Sequence, residues 1–241
     1  MEWTSMKQLK NGFLILFLLL FSMCSFHQDE IPENNGGILL SFDDYHPITW
    51  AKHFNLFDKY NARVTFFVTR GYVTQFMLDA QERGHEIGFH SVTHPNLTRV
   101  TRDRFFEETI LPINIFREQG VELTSFAYPF GAFEEWMHAE LLEYYRIVCG
   151  RRGNYVLERE DLKFGFVGAK SIDNIAYRSE IIFRRSISRI LRGAKISGNI
   201  VALYSHDISY SDWGITPDRL EFVLRKAKNL GLTFYTYKCL Q

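Results

Sequence analysis

The sequence is short of the features that mark several protein classes. It holds 3 cysteines in 241 residues, none spaced as Cys-x-x-Cys. A disulfide-stapled miniprotein, a thiolate zinc site and a thioredoxin-like site are therefore not expected. Neither sign of charge is in excess, with 28 Lys and Arg against 28 Asp and Glu. A chain built chiefly to grip a nucleic-acid backbone carries a basic surplus, so no nucleic-acid partner is expected. No Gly-x-Gly-x-x-Gly run opens the first helix and no Gly-Lys-Ser/Thr loop occurs, which removes the fingerprints of dinucleotide and P-loop folds. The longest apolar run, Phe13 to Phe21, falls short of the roughly 20 residues a membrane helix needs. Internal repeats and low-complexity tracts are absent as well. What remains is a globular composition, 46% hydrophobic and 16% aromatic, in a chain large enough to bury a full core.

The N-terminal segment reads as an address. Lys7 and Lys10 precede the apolar run, and Ser22, Met23, Cys24 and Ser25 follow it. That order is the pattern of a secretory signal over residues 1–24. Two variants stay open: a lipoprotein signal with Cys24 as the lipid-bearing residue, or ordinary cleavage after Cys24 or Ser25. Pro32, Asn34, Asn35, Gly36 and Gly37 break the chain like a linker over residues 25–37. Export follows from this reading, to the periplasm, the cell surface or the medium, with membrane attachment only through a lipid on Cys24.

From residue 38 to 241 short apolar runs alternate with amphipathic stretches. Strands are expected over 38–42, 64–68, 86–89, 125–128, 147–149, 199–204 and 233–237. Helices are expected over 49–60, 72–83, 102–118, 134–145 and 217–230, several closed by glycine. Such alternation calls for parallel strands covered by helices, either a barrel or an open doubly wound sheet. Asp43-Asp44, His90, Tyr128-Pro129 and His206-Asp207 each fall just after an expected strand. In a parallel barrel those positions share the carboxyl-end rim, where chemistry is housed.

Two of these segments carry metal-type chemistry. Adjacent carboxylates at Asp43 and Asp44 repel unless a proton or a cation intervenes. The plain alternative is a helix cap or turn, which aspartate also favours. His90 and His94 form His-x-x-x-His, which brings two imidazoles together if the segment coils; otherwise they are two loop histidines with local hydrogen bonds. Two imidazoles and one carboxylate make a divalent-metal site with open positions.

Taken in order, Ser41-Phe42-Asp43-Asp44, His90-Ser91-Val92-Thr93-His94, Tyr128-Pro129-Phe130-Gly131 and Tyr204-Ser205-His206-Asp207 resemble the motifs of the polysaccharide deacetylase family. This is the nodulation-protein homology domain of carbohydrate esterase family four. The resemblance runs from about Ile38 to the C-terminus and implies an α/β fold, a distorted (β/α) barrel of the polysaccharide deacetylase type. It also implies a metal-dependent hydrolase that removes acetyl groups from the N-acetylated sugars of an extracytoplasmic polysaccharide. By that resemblance Asp44, His90 and His94 hold a divalent metal, zinc foremost. Asp43 is the general base, His206 the general acid, and the backbone around Tyr128, Pro129 and Phe130 contacts substrate and oxyanion. The acid–base logic is sound, because amide hydrolysis needs a proton on the departing nitrogen and histidine supplies one near neutral pH.

Two departures stand out. Many members start the Pro-aromatic segment with an arginine that orients the base; Ala127 stands there, and Arg151 or Arg152 is the candidate substitute. The Asp-Trp segment that often supports the acid histidine is missing from its usual place, which leaves Asp207 as a candidate support; Asp212-Trp213 has the right letters but follows His206. Rival readings are an O-acetyl esterase or another amidase acting on a glycan, and a catalytically silent glycan-binding scaffold. Phe183, Ile187, Ile190 and Leu191 share a helical face with Arg184, Arg185, Arg189 and Arg192 elsewhere. That pattern is a solvated amphipathic helix or a contact with an anionic glycan or lipid surface. Phe130, Tyr210 and Trp213 are either a sugar-stacking wall or rim packing. Whether Cys149 and Cys239 pair is left open.

Overall fold

The computed structural model describes residues 36–151, 153–158, 160–161 and 165–240. The expected signal at 1–24, nearly all of the expected linker, and Arg152 lie outside the described residues. In chain order the domain runs β1 (Gly37–Phe42), α1 (Pro47–Lys52), α2 (Phe54–Lys59), β2 (Thr65–Val68), α3 (Gln75–Glu82), β3 (Glu86–Phe89), α4 (Arg102–Thr109), α5 (Pro112–Glu118) and β4 (Ser125–Ala127). It continues with α6 (Glu135–Leu142), β5 (Ile147–Gly150), β6 (Val156–Leu157), β7 (Phe166–Gly168), β8 (Lys170–Ser171), α7 (Glu180–Ser197) and β9 (Ile200–Ser205). A small pair, β10 (Asp207–Ile208) and β11 (Gly214–Ile215), precedes α8 (Pro217–Asn229) and β12 (Thr233–Tyr235).

Parallel pairing runs from β9 through β1, β2, β3, β4 and β5 to β7. The stretch 166–171 then closes the ring. Its first half pairs with β5, Val148 opposite Phe166, and its second half pairs with β9, Leu203 opposite Lys170. The sheet is therefore the expected (β/α) barrel. Its distortion is also visible: β1 pairs with β12 over Gly37–Leu39 and with β2 only at Ser41 and Phe42.

Strand alternation sorts the side chains into two cores. Ile38, Leu40, Phe42, Phe66, Phe89 and Phe126 point outward and pack beneath the helices with Trp50, Phe57 and Phe116. Leu39, Phe67, Ala127, Ile147, Cys149 and Ala202 fill the barrel. The interior also takes the tail, where Tyr237 packs edge-on against Phe67 at 5.2 Å. Gly88 is there because a Cβ would stand 2.5 Å from the Phe67 ring and 2.7 Å from Ser125 Oγ.

Two expected helices are split. Pro112 has no N–H to continue a helix, so 102–118 becomes α4 and α5. Within 49–60 the His53 imidazole takes the Thr49 carbonyl at 2.8 Å, and α1 ends there. The closing strands β7 and β8 were not expected from the sequence, since two- and three-residue strands show too little periodicity to read. Cys149 and Cys239 are both free thiols.

One buried acid organises the closed end of the barrel. Glu86 is 2% exposed. It accepts from Thr65 Oγ1 at 2.9 Å, Thr124 Oγ1 at 3.1 Å, Ser125 Oγ at 2.7 Å and the Lys238 N–H at 2.9 Å. Glu86→Ala orphans four donors and opens a cavity. It is expected to cost at least about 3 kcal/mol, since each unsatisfied buried donor costs roughly 1–3 kcal/mol. Glu86→Gln, which keeps an acceptor oxygen, loses less. Urea unfolding midpoints measure both, and a loss under about 1 kcal/mol for the alanine variant would contradict this role.

Candidate active site

All four expected polar segments meet at the carboxyl-end rim. Asp43 and Asp44 follow β1, His90 follows β3, Tyr128 follows β4 and His206 follows β9. Arg151 follows β5, and Asp173 comes just after β8. Among the described residues, the rim holds four of the five non-glycine residues with left-handed backbone: Asp44 (φ 77°), Ser91 (φ 69°), His94 (φ 58°) and Phe130 (φ 60°). Each such residue costs on the order of 1–3 kcal/mol, and strain of this kind collects where side-chain direction matters.

That backbone aims three donors at one point. Asp44 Oδ1 lies 3.6 Å from His90 Nε2 and 3.3 Å from His94 Nε2. The three ligand atoms all lie within 4.8 Å of one another, and among the described residues this is the one cluster of its kind. The His90–His94 segment does not coil into a helical turn as the spacing suggested. It is an open loop, with the His94 N–H donating to Ser91 Oγ at 3.0 Å. Glu108 on α4 is fully buried and holds that loop. The Thr93 N–H donates to Glu108 Oε2 at 2.7 Å, the Val92 N–H to the Glu108 carbonyl at 3.1 Å, and Arg104 pairs with Glu108 Oε1. His90 Nδ1 donates to the Ala127 carbonyl at 2.7 Å, which leaves Nε2 as a lone pair toward Asp44. Burial, partly offset by Asp44, lowers His90 to about 4 and keeps the imidazole neutral, as a ligand must be. One carboxylate and two neutral imidazoles with an open side suit a divalent first-row ion.

Beside the triad stands Asp43. Its N–H donates to the Ser205 carbonyl at 2.9 Å, and its Oδ1 is buried without a hydrogen-bond partner among the described residues. Burial raises its carboxyl to about 7, opposed by His206 and Arg151 and reinforced by Asp44 and Asp173. Arg151 lines the same recess as Asp43, Ala127 and Tyr204. Its position follows from register: Ala127 pairs with Cys149, and Arg151 lies two residues further along the neighbouring strand. Gly131 (φ 62°) lets it lie there, since a Cβ would stand 2.6 Å from Arg151 Cγ. Arg151 is thus placed beside Asp43, while Arg152 lies outside the described residues.

His206 finds its carboxylate in Asp173. Nδ1 donates to Asp173 Oδ2 at 2.9 Å, while the His206 N–H and Ser205 Oγ donate to Oδ1 at 3.1 and 2.6 Å. Burial alone would lower His206; the bond to Asp173 and the charges of Asp43, Asp173 and Asp44 outweigh it and raise the imidazole to about 9. Asp173 is itself lowered: burial raises it, but the bonds from His206, Ser205 and Ser171 prevail. Asp207 is a correction to the sequence reading. Its Oδ1 accepts from Thr49 Oγ1 and from the Ile208 N–H, so the carboxyl turns away from His206. Asp212 pairs with Arg178 at 2.8 Å, while Trp213 packs edge-on against the His206 ring at 5.6 Å. An aspartate two residues past an unseen two-residue strand gave no signal beyond Ser171-Ile172-Asp173 itself.

The Pro-aromatic segment forms the opposite lip. The Tyr128 N–H is engaged by the Cys149 carbonyl at 3.0 Å and Pro129 has none. The half-exposed Phe130 ring lies 4.6 Å from His94. Tyr128 is buried with no hydrogen-bond partner for its hydroxyl among the described residues, and burial pushes that hydroxyl up.

At its strand ends the parallel barrel thus gathers a carboxylate and two imidazoles that could hold a metal ion, a second carboxylate beside them and a histidine opposite. Residues 31–145 match the family model described as polysaccharide deacetylase, so the family resemblance carried by the motifs holds. Among solved structures the chain is similar to the Xyl-CE4 domain of a multidomain xylanase from the hindgut metagenome of Trinervitermes trinervoides, at 22% identity and TM-score 0.60, covering 84% of this chain and 88% of that one. It is similar to a peptidoglycan deacetylase of Bacillus subtilis, at 20% identity and TM-score 0.59, with 84% and 88% covered. The chitin deacetylase of the fungal pathogen Colletotrichum lindemuthianum gives 16% identity and TM-score 0.64, with 86% and 88% covered. At these identities the likeness speaks to the fold. A sequence search of curated proteins returns no match.

The His206–Asp173 pair sets a pH dependence. Between about pH 7 and 9 the folded protein keeps a proton on His206 that an unfolded histidine, near 6.5, has released. A pKa raised on folding contributes stability that is full below 6.5 and lost as pH rises through about 9. Denaturant midpoints should therefore fall between pH 7 and 9 in metal-free protein. Asp173→Asn should flatten that slope and bring the His206 imidazole, followed by NMR titration, back toward 6.5. An unchanged His206 titration would contradict the assignment.

Proposed function

We propose that the chain is a metal-dependent carbohydrate deacetylase that hydrolyses the carbon–nitrogen bond of N-acetylated sugars in an extracytoplasmic polysaccharide. The observation that carries this is the meeting of Asp44, His90 and His94 beside a free Asp43, with a protonated His206 across from it. Asp44 Oδ1, His90 Nε2 and His94 Nε2 would hold a divalent ion, zinc by preference. Bound there, the ion would supply positive charge that acidifies water, polarises the acyl carbonyl and keeps Asp43 ionised.

The chain's own groups then divide the work. Asp43 takes a proton from the attacking water as its oxygen bonds to the acyl carbon. The Phe130 N–H is the backbone donor assigned to the developing oxyanion. His206, charged at neutral pH and held by Asp173 through Nδ1, gives its Nε2 proton to the departing nitrogen as the C–N bond breaks. Acetate and a free amine result. A histidine raised to about 9 is suited to amide cleavage, where the leaving group must be protonated. Arg151 is the cation that orients Asp43 where Ala127 supplies none. That a chitin deacetylase and a peptidoglycan deacetylase share the fold supports the substrate class. We assign residues 1–24 to an export signal, residues 25–37 to a linker and residues 38–241 to the catalytic domain, so the glycan is met outside the cytoplasm. A lipid on Cys24 is the alternative to release.

Chelation is expected to abolish acetate release from N-acetylglucosamine oligomers, and full activity in metal-stripped protein would refute the reading. Asp43→Asn should lower kcat by roughly 10²–10⁴ while metal content, read by elemental analysis, stays at wild-type level. A parallel assay on acetylated xylan separates amide from ester hydrolysis. Arg151→Ala should lower kcat more than it alters KM, and adding Ala127→Arg to that variant should restore part of it. Failure of both effects would remove Arg151 from the site.

A further inference from the structure

Helix α7 has a face that the fold does not use. Its inner side is buried through Phe183, Ile187, Leu191 and Ala194 and packs on β1, β9 and α8. The opposite stripe runs Ile181, Arg185, Arg189, Arg192 and Ile196, at spacings that return to one side of a helix every turn. Ile182 and Lys195 flank it. Three isoleucines on this side are 61–86% exposed, unusual for so apolar a side chain in such a group. Arg185, Arg189 and Arg192 have no carboxylate partner among the described residues, whereas Arg184 is spent on Glu180 at 2.5 Å and on the Phe222 ring at 4.6 Å. Glu180, the one acid of the helix, is also taken by Arg219 at 2.8 Å.

We infer that this stripe docks the protein on an anionic lipid bilayer, with α7 lying in the plane of the headgroups. The occupant follows from the mixture. Guanidinium groups match anionic headgroups, and long cationic side chains reach that level while neighbouring apolar groups sit deeper. A soluble polyanion would reward the arginines and leave the isoleucines unexplained. A second copy of the chain would set like charges against one another. Helices that bind bilayers in plane pair arginine or lysine with exposed apolar side chains; here the continuous apolar face of α7 is core, and the exposed isoleucines stand at the two ends of the arginine row. Among the described residues no helix is long and apolar enough to cross a membrane, so α7 lies on the surface.

The test is co-flotation of the full chain with vesicles of phosphatidylcholine alone and of phosphatidylcholine mixed with phosphatidylglycerol. The N-terminal segment is common to every variant and cancels in the comparison. Wild-type protein should partition more strongly onto the mixed vesicles, and added salt should weaken that gain. Arg185→Gln, Arg189→Gln and Arg192→Gln together should reduce the gain by on the order of a hundredfold, from about fivefold per cation near an anionic surface. Ile181→Ser, Ile182→Ser and Ile196→Ser together should weaken binding to the mixed vesicles as well, with thermal midpoints unchanged because all six side chains lie outside the core. Equal partitioning of the wild type and the arginine variant would overturn the inference. So would binding to dextran sulfate that matches vesicle binding and ignores the isoleucine changes, which would give the face to a soluble polyanion.

Discussion

The active rim depends on hydrogen bonding along residues 166–171. This stretch bonds to β5 with its first half and to β9 with its second, and so joins the two sides of the sheet. Closure fixes where β5 and β9 end relative to each other. It thereby places Arg151 near Asp43 and lets Asp173 reach His206. Arg151 and Asp173 come from the segments at this seam, while Asp44 and His90 follow β1 and β3.

The electrostatics of the site are a balance among few charges in a poorly solvated space. Asp43 is raised by burial and His206 is raised despite it. The difference is partnership: His206 has a carboxylate at hydrogen-bond distance, whereas one oxygen of Asp43 has nothing. A carboxyl without a fixed partner is free to exchange a proton, and an imidazole with one is held ready to give its own. On the proposed reading, two groups of ordinary chemistry take opposite tasks from their surroundings.

Much of this was legible in the sequence, for a local reason. Asp43-Asp44, His90–His94, Tyr128–Gly131 and His206 each sit directly after an apolar run, and a strand end is a position that hydropathy reveals. The barrel followed from the same alternation. Asp173 and Glu108 were not legible. Asp173 lies two residues past a strand too short to show a period, and Glu108 lies in the last turn of α4, where a glutamate is commonplace. Both act on residues distant in sequence, so their importance exists only once the chain has folded. Asp207 shows the converse error: adjacency to His206 suggested a partnership, yet its carboxyl is claimed by Thr49 and the Ile208 N–H.

The pairing of β1 with β12 has a consequence for how the molecule comes into being. The opening strand of the domain bonds along Gly37–Leu39 to Thr233–Tyr235, and the tail beyond it supplies the Lys238 N–H to Glu86 and the Tyr237 ring to the interior. A nascent chain extended only as far as α8 has no occupant for these places. Its earliest strand waits, half unpaired, for Thr233–Tyr235 to be synthesised. Long-range pairings of this sort slow folding, and they make the completed barrel an all-or-none object whose two ends vouch for each other.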